Sequence, residues 1–133
     1  MIIAGDELKK IAERWNVPSK LVRPASIDVP IGSVDGAPRT AAGGGWVLAP
    51  MVTYHASGVW DVRLGSGVLG RLAPSAGVRA RGVRLAAGLV PPGFEGGLPL
   101  EFYTTRGMVI SGGVPTFSLT LIRVGTDLGE GLE

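Results

Sequence analysis

The chain has 133 residues, 22 of them glycine and 10 proline, with a single histidine and no cysteine. With 45% hydrophobic residues and a mean hydropathy of +0.32 it is too apolar for a disordered chain, and its length fits one domain over residues 1–133. The missing cysteines exclude disulfides, thiol catalysis and a zinc deaminase centre of one histidine and two cysteines, and a net charge of +2 gives no argument for a nucleic-acid partner.

The start, Met1 to Ala4, is short and apolar and charges follow at once, which does not read as a signal peptide. Residues 6–16 predict the one helix. Leu8, Ile11, Ala12 and Trp15 share a face, Asp6 and Glu7 suit the helix N-terminus, and Val17-Pro18 stops it. From there the pattern is β. Residues 26–32 alternate, with Ile27, Val29 and Ile31 on one face and Ser26, Asp28 and Pro30 on the other. Residues 34–45 predict a polar, Gly-rich, mobile loop. Further strands are predicted at 46–49, 51–55, 59–64, 67–72, 78–85, 98–103, 107–111 and 115–124, with Gly-rich breaks between several of them. So many short strands predict a mainly β sandwich or jelly roll rather than a parallel sheet. No apolar run reaches membrane-spanning length, so a soluble cytoplasmic protein with no membrane partner is expected. One Asn, no Gln and the absent Cys fit a hyperthermophile, and a GC-rich genome would also favour the excess of Arg over Lys.

Four features can carry chemistry. Glu101 alternates with Leu98, Leu100 and Phe102 in an apolar strand, where burial disfavours the charged form of a carboxylate and prepares it for proton transfer; the ordinary alternative is a solvated outer-face glutamate. Arg71, Arg79, Arg81 and Arg84 fall within fourteen residues that hold no acid. Guanidinium groups clamp phosphate oxygens bidentately, and Arg79 and Arg81, two apart, are predicted on one strand face; a solvated charged face is the alternative. Residues 88–97 combine Pro91-Pro92 with Gly88, Gly93, Gly96 and Gly97, which suits either backbone approach to a ligand or a rigid turn. Asp28 can orient a ligand or a neighbouring arginine. His55 reads as a structural histidine, and Ser75 has no histidine near it in sequence to make it a nucleophile.

In order along the chain these pieces resemble the dCTP deaminase and trimeric dUTPase superfamily. Arg23-Pro24-Ala25-Ser26-Ile27-Asp28-Val29-Pro30-Ile31-Gly32 is similar to the family's first motif, P-[AS]-S-[IL]-D-[LV]-x-[LI]-G. Gly70-Arg71 and the following Leu72-Ala73-Pro74-Ser75-Ala76-Gly77 resemble G-R-S-S-L-A-R of the deaminases or G-R-I-A-P-R-S-G of the dUTPases. Residues Ala87 to Gly96 resemble A-G-x-I-D-P-G-F-x-G, and Leu100-Glu101-Phe102-Tyr103 resembles the deaminase L-E-F-x-N strand.

The resemblance implies a distorted jelly roll of the dUTPase-like, β-clip kind with a short N-terminal helix, a homotrimer with sites between subunits, and a pyrimidine deoxyribonucleoside triphosphate carrying Mg²⁺ on its phosphates. It implies Glu101 as the proton-handling residue of a zinc-independent deamination of dCTP, with Arg71, Ser75, Arg79, Arg81, Gly88, Gly93 and Asp28 as nucleotide-binding residues. A dUTP diphosphatase and a non-catalytic nucleotide-binding or regulatory homologue stand as alternatives. The departures bear on that choice. Pro91 occupies the place of the dUTPase water-orienting aspartate, Ala76 that of the deaminase arginine, and Ser118 that of a late-motif glutamine. A Gly-rich tail closing over the triphosphate is not expected in a chain that finishes on Asp127, Glu130 and Glu133.

Overall fold

The computed structural model describes residues 1–124; the acidic finish and the expected tail difference lie outside them. Helix α1 spans Gly5–Arg14 and turns Leu8 and Ala12 into the core. A 3-10 turn over Ser19–Leu21 leads into nine strands: β1 Ile27–Val34, β2 Gly45–Leu48, β3 Tyr54–Arg63, β4 Val68–Pro74, β5 Val83–Ala87, β6 Leu89–Val90, β7 Glu95–Thr104, β8 Met108–Ser111 and β9 Pro115–Arg123. Seven of these form one sheet in the order β5-β7-β3-β1-β9-β4-β6, and β2 and β8 pair as a separate ribbon.

The sheet is nearly closed on itself. Strands β5 and β6 occupy opposite edges, yet only Gly88 separates them in sequence. The seam is drawn together where the Leu72 N–H donates to the Gly88 carbonyl at 2.7 Å. A Cβ on Gly88 would sit 3.2 Å from the Leu72 carbonyl oxygen, so glycine permits this close approach. Inside the roll, alternate residues from every long strand meet: Ile27, Val29 and Ile31 from β1, Leu98, Leu100 and Phe102 from β7, Phe117, Leu119 and Leu121 from β9. Phe102 is the aromatic centre, with ring centroids 6.1 Å from Tyr54 and 5.5 Å from Phe117.

Several expectations need correction. The predicted strand 78–85 is a short helix α2, Ala76–Ala80, followed by β5. Ser75 caps its start as an extended residue whose carbonyl accepts the Arg79 N–H, and Gly82, at φ +109°, reverses the chain at its end. Arg79 and Arg81 therefore lie in and just after a helix, not on one strand face. The predicted strands 51–55 and 59–64 are one strand, β3, whose pairing with β7 shifts between Ser57 and Asp61 around Gly58. The loop read as mobile is pinned. Arg39 bridges to Trp46 and lies over its ring at 4.8 Å, and the Thr40 N–H donates to the Gly45 carbonyl.

Candidate functional site

The register of β3, β7 and β5 builds the site. Glu101 on β7 stands directly opposite His55 on β3 and opposite Ala87 on β5. Its neighbours Leu100 and Phe102 are buried, so the Glu101 side chain, half-buried, lies on the outer face. There a cavity of about 270 Å³ is lined by Glu101, His55, Pro99, Ala87 and Leu89. Its lining combines apolar side chains with one carboxylate and one imidazole. The volume, about 270 Å³, lies just below the usual range for ligand pockets of about 300–1,000 Å³.

Leu89 links this cavity to Arg71. The two residues are cross-strand partners in β6 and β4, so the guanidinium of Arg71 projects from the strand next to the cavity wall. Arg71 is exposed, and among the described residues it has no carboxylate partner. The seam at Gly88 thus brings Arg71 and Glu101 to the same region although they are thirty positions apart in sequence.

The other expected residues fall into separate places. Asp28 faces outward on β1 beside Ser118 of β9, and its carboxylate takes Arg23 at 2.7 and 2.8 Å. It pairs with a neighbouring arginine, one of the two roles expected of it; β1 adjoins β3, but Asp28 lies seven residues along the chain from Asp35, whose N–H meets the His55 carbonyl. Arg79 and Arg81 sit beside the start of β5, which pairs Val83 with Thr104, whereas Ala87 pairs with Glu101. That is four residues along the strand, about 13 Å at ~3.3 Å per residue. Arg84 closes this end of α2 by donating to the Arg79 carbonyl at 2.8 Å. Ser75 donates its backbone N–H to the Thr116 carbonyl, with no side-chain capping bond. Gly93, at φ +81°, follows Pro91-Pro92 in a turn closed by the Phe94 N–H on the Pro91 carbonyl. Pro91 is exposed in that turn.

His55 was passed over in the sequence because alternation within β3 alone says nothing of which strand lies beside it. Only the β3–β7 register sets it against Glu101. Among the described residues no group of three or more His, Cys, Asp or Glu side chains is placed to hold a metal ion. No helix among them is long and apolar enough to cross a membrane.

No protein-family model and no curated protein matches the sequence. Solved structures do match the fold. A 2′-deoxycytidine 5′-triphosphate deaminase from Agrobacterium tumefaciens superposes with a TM-score of 0.73 over 93% of this chain at 17% identity. The chain spans 48% of that protein's length, about half. A dUTPase of Staphylococcus bacteriophage 80alpha, solved as a point mutant with dUpNHpp, gives a TM-score of 0.58 at 14% identity over 77% of this chain and 78% of its own. The fold is therefore the mainly β, distorted jelly roll shared by dCTP deaminases and dUTPases, as the sequence resemblance implied.

Proposed function

We propose that this chain is a deoxyribonucleotide enzyme of the dCTP deaminase type, converting dCTP and water into dUTP and ammonia in the cytoplasm. The observation that carries the reading is Glu101, a half-buried carboxylate lining a cavity of about 270 Å³, with Arg71, unpaired among the described residues, on the strand beside Leu89. The pyrimidine would lie over Ala87, Leu89 and Pro99 with its C4 edge toward Glu101, and its phosphates would run out toward Arg71. Such a guanidinium binds phosphate oxygens through charge-assisted hydrogen bonds.

In this arrangement Glu101 takes one proton from water as the oxygen adds to C4, then returns it to the amino nitrogen, which leaves as ammonia. The second proton of the water ends on N3 of the ring, so protons balance and Glu101 is regenerated. Mg²⁺ belongs with the triphosphate as part of the substrate. Asp28, Ser75, Arg79, Arg81, Gly88 and Gly93 stay within the proposal as nucleotide-binding residues. Because Asp28, Arg79 and Arg81 stand apart from the Glu101 cavity in one protomer, their participation requires a second copy at the site, in keeping with a homotrimer.

Incubation of the purified protein with dCTP or dUTP and Mg²⁺, at moderate and high temperature, tests this. Ammonia and dUTP from dCTP, abolished in Glu101→Gln, are expected. Pyrophosphate and dUMP from dUTP would replace the deaminase reading with a diphosphatase. No product from either nucleotide would leave a non-catalytic nucleotide-binding homologue.

A further inference from the structure

The row that contains Glu101 extends one strand further. Val34 pairs with Ala56 across β1 and β3, and the next residue, Asp35, donates its backbone N–H to the His55 carbonyl at 2.9 Å. Val34 and Ala56 are buried, whereas Asp35 and His55 are exposed, so both face outward together. The single histidine of the chain thus stands between two carboxylates, Asp35 on one side and Glu101 on the other. His55 and Glu101 are a register pair, and side chains directly opposite in antiparallel strands have Cβ atoms about 4.5–5.5 Å apart, while Asp35, a turn residue just past β1, meets His55 through its backbone.

Of the eight acids among the described residues, three are ion-paired and Asp6, Glu13, Asp35, Asp61 and Glu101 are not. Asp28, Glu95 and Glu7 each take an arginine: Arg23, Arg63 and Arg123. Among the described residues neither Asp35 nor Glu101 has a basic ion-pair partner. The nearest basic group on the β5 side, Arg84, stands opposite Tyr103, one outward row beyond Glu101, and its guanidinium is engaged by the Arg79 and Val83 carbonyls. The imidazole is the basic group that the register and the Asp35 backbone bond set beside both, and it lines the same cavity as Glu101.

From this juxtaposition we infer that His55 is the positioning residue of Glu101, hydrogen-bonding Asp35 through one ring nitrogen and Glu101 through the other, so that the carboxylate is fixed toward the cavity. A neutral imidazole carries one donor and one acceptor and an imidazolium two donors, so a ring between two carboxylates bonds both at once when it is charged. The inference rests on the reading of Glu101 as the proton-handling group. It adds how a carboxylate on an open sheet face keeps one orientation while a proton moves on and off it.

Because His55 is the only histidine, ¹⁵N-histidine labelling gives one set of ring signals. In the full chain with saturating dUTP, its ring N–H protons are expected to exchange slowly enough to be observed, and to be lost in Glu101→Gln. In dCTP turnover, His55→Ala is expected to lower kcat about tenfold with KM within about twofold, and His55→Gln, which keeps a donor, to recover most of the loss. Ring protons that exchange as fast in the wild type as in Glu101→Gln overturn the inference, as does an unchanged kcat in His55→Ala. If Glu101→Gln retains full turnover, the reading of Glu101 as the proton-handling group fails instead, and the ring-proton measurement still decides whether the pair forms. If the protein turns over no nucleotide, that same measurement decides alone.

Discussion

Replacing Phe102 with alanine tests whether the roll is one cooperative core. Phe102 is fully buried and its ring meets Tyr54 and Phe117. Truncating a buried phenylalanine costs about 3–5 kcal/mol, as lost transfer energy plus the cavity left behind. Two aromatic partners place the expected loss in the middle or upper part of that range, about 4 kcal/mol. The unfolding entropy is about 2.1 cal/mol/K per residue, which over 133 residues is about 0.28 kcal/mol/K. The loss then lowers Tm by about 14 °C. Calorimetry at one fixed protein concentration, which keeps any assembly equilibrium constant, is the assay. A decrease under about 5 °C would refute the reasoning, since it would mean that the strands around Phe102 can collapse onto the space or that the ring is not central to the fold. Glu101 is the next residue on β7, so the same variant should also weaken any nucleotide turnover before it unfolds.

Other perturbations address particular contacts. Gly32→Ala would put a Cβ 2.9 Å from the Gly58 carbonyl oxygen and 3.2 Å from the Val59 Cα, beside the irregular pairing of β1 with β3; a loss of about 2 kcal/mol by thermal unfolding is expected. Asp28→Asn breaks a pair whose arginine is half exposed, so about 0.5 kcal/mol in urea unfolding is expected, shrinking further in high salt. Arg71→Ala should leave the fold unchanged and weaken triphosphate binding about tenfold or more by equilibrium titration, since hydrogen bonds to charged groups contribute about 1.5–3 kcal/mol. If binding of a nucleoside without phosphates weakens equally, the assignment of Arg71 to the phosphates is wrong.

The elements legible in the sequence were those with a strict period. The alternation of Phe117, Leu119 and Leu121 in β9, of Leu98, Leu100 and Phe102 in β7, and the helical face of Leu8 and Ala12 each bury the expected side. Segment 76–87 misled because Val78 to Leu85 mimics alternation, while the helix there is set by Ser75 before it and by Gly82 after it. The site was half legible. Glu101 could be singled out from its own strand, and Arg71 from its charge surroundings. Their convergence depends on the closed seam at Gly88, and the place of His55 depends on register across two strands, both of them tertiary facts. Asp28 announced a role, and its nearest use is structural, through Arg23.

Strand β9 has a consequence for how the chain comes off the ribosome. It lies in the interior of the sheet between β1 and β4, although residues 115–123 are synthesised some ninety positions after β1. Until then β1 has lost one neighbour and β4 the larger of its two. At about 5–20 residues per second, the first strand waits several seconds or more with an unpaired apolar edge. Closure accordingly waits for β9 and is dominated by distant pairings, a topology that folds in milliseconds to seconds. An emerging chain of this design holds apolar strand edges open for longer than a helical protein of equal size, whose contacts are local.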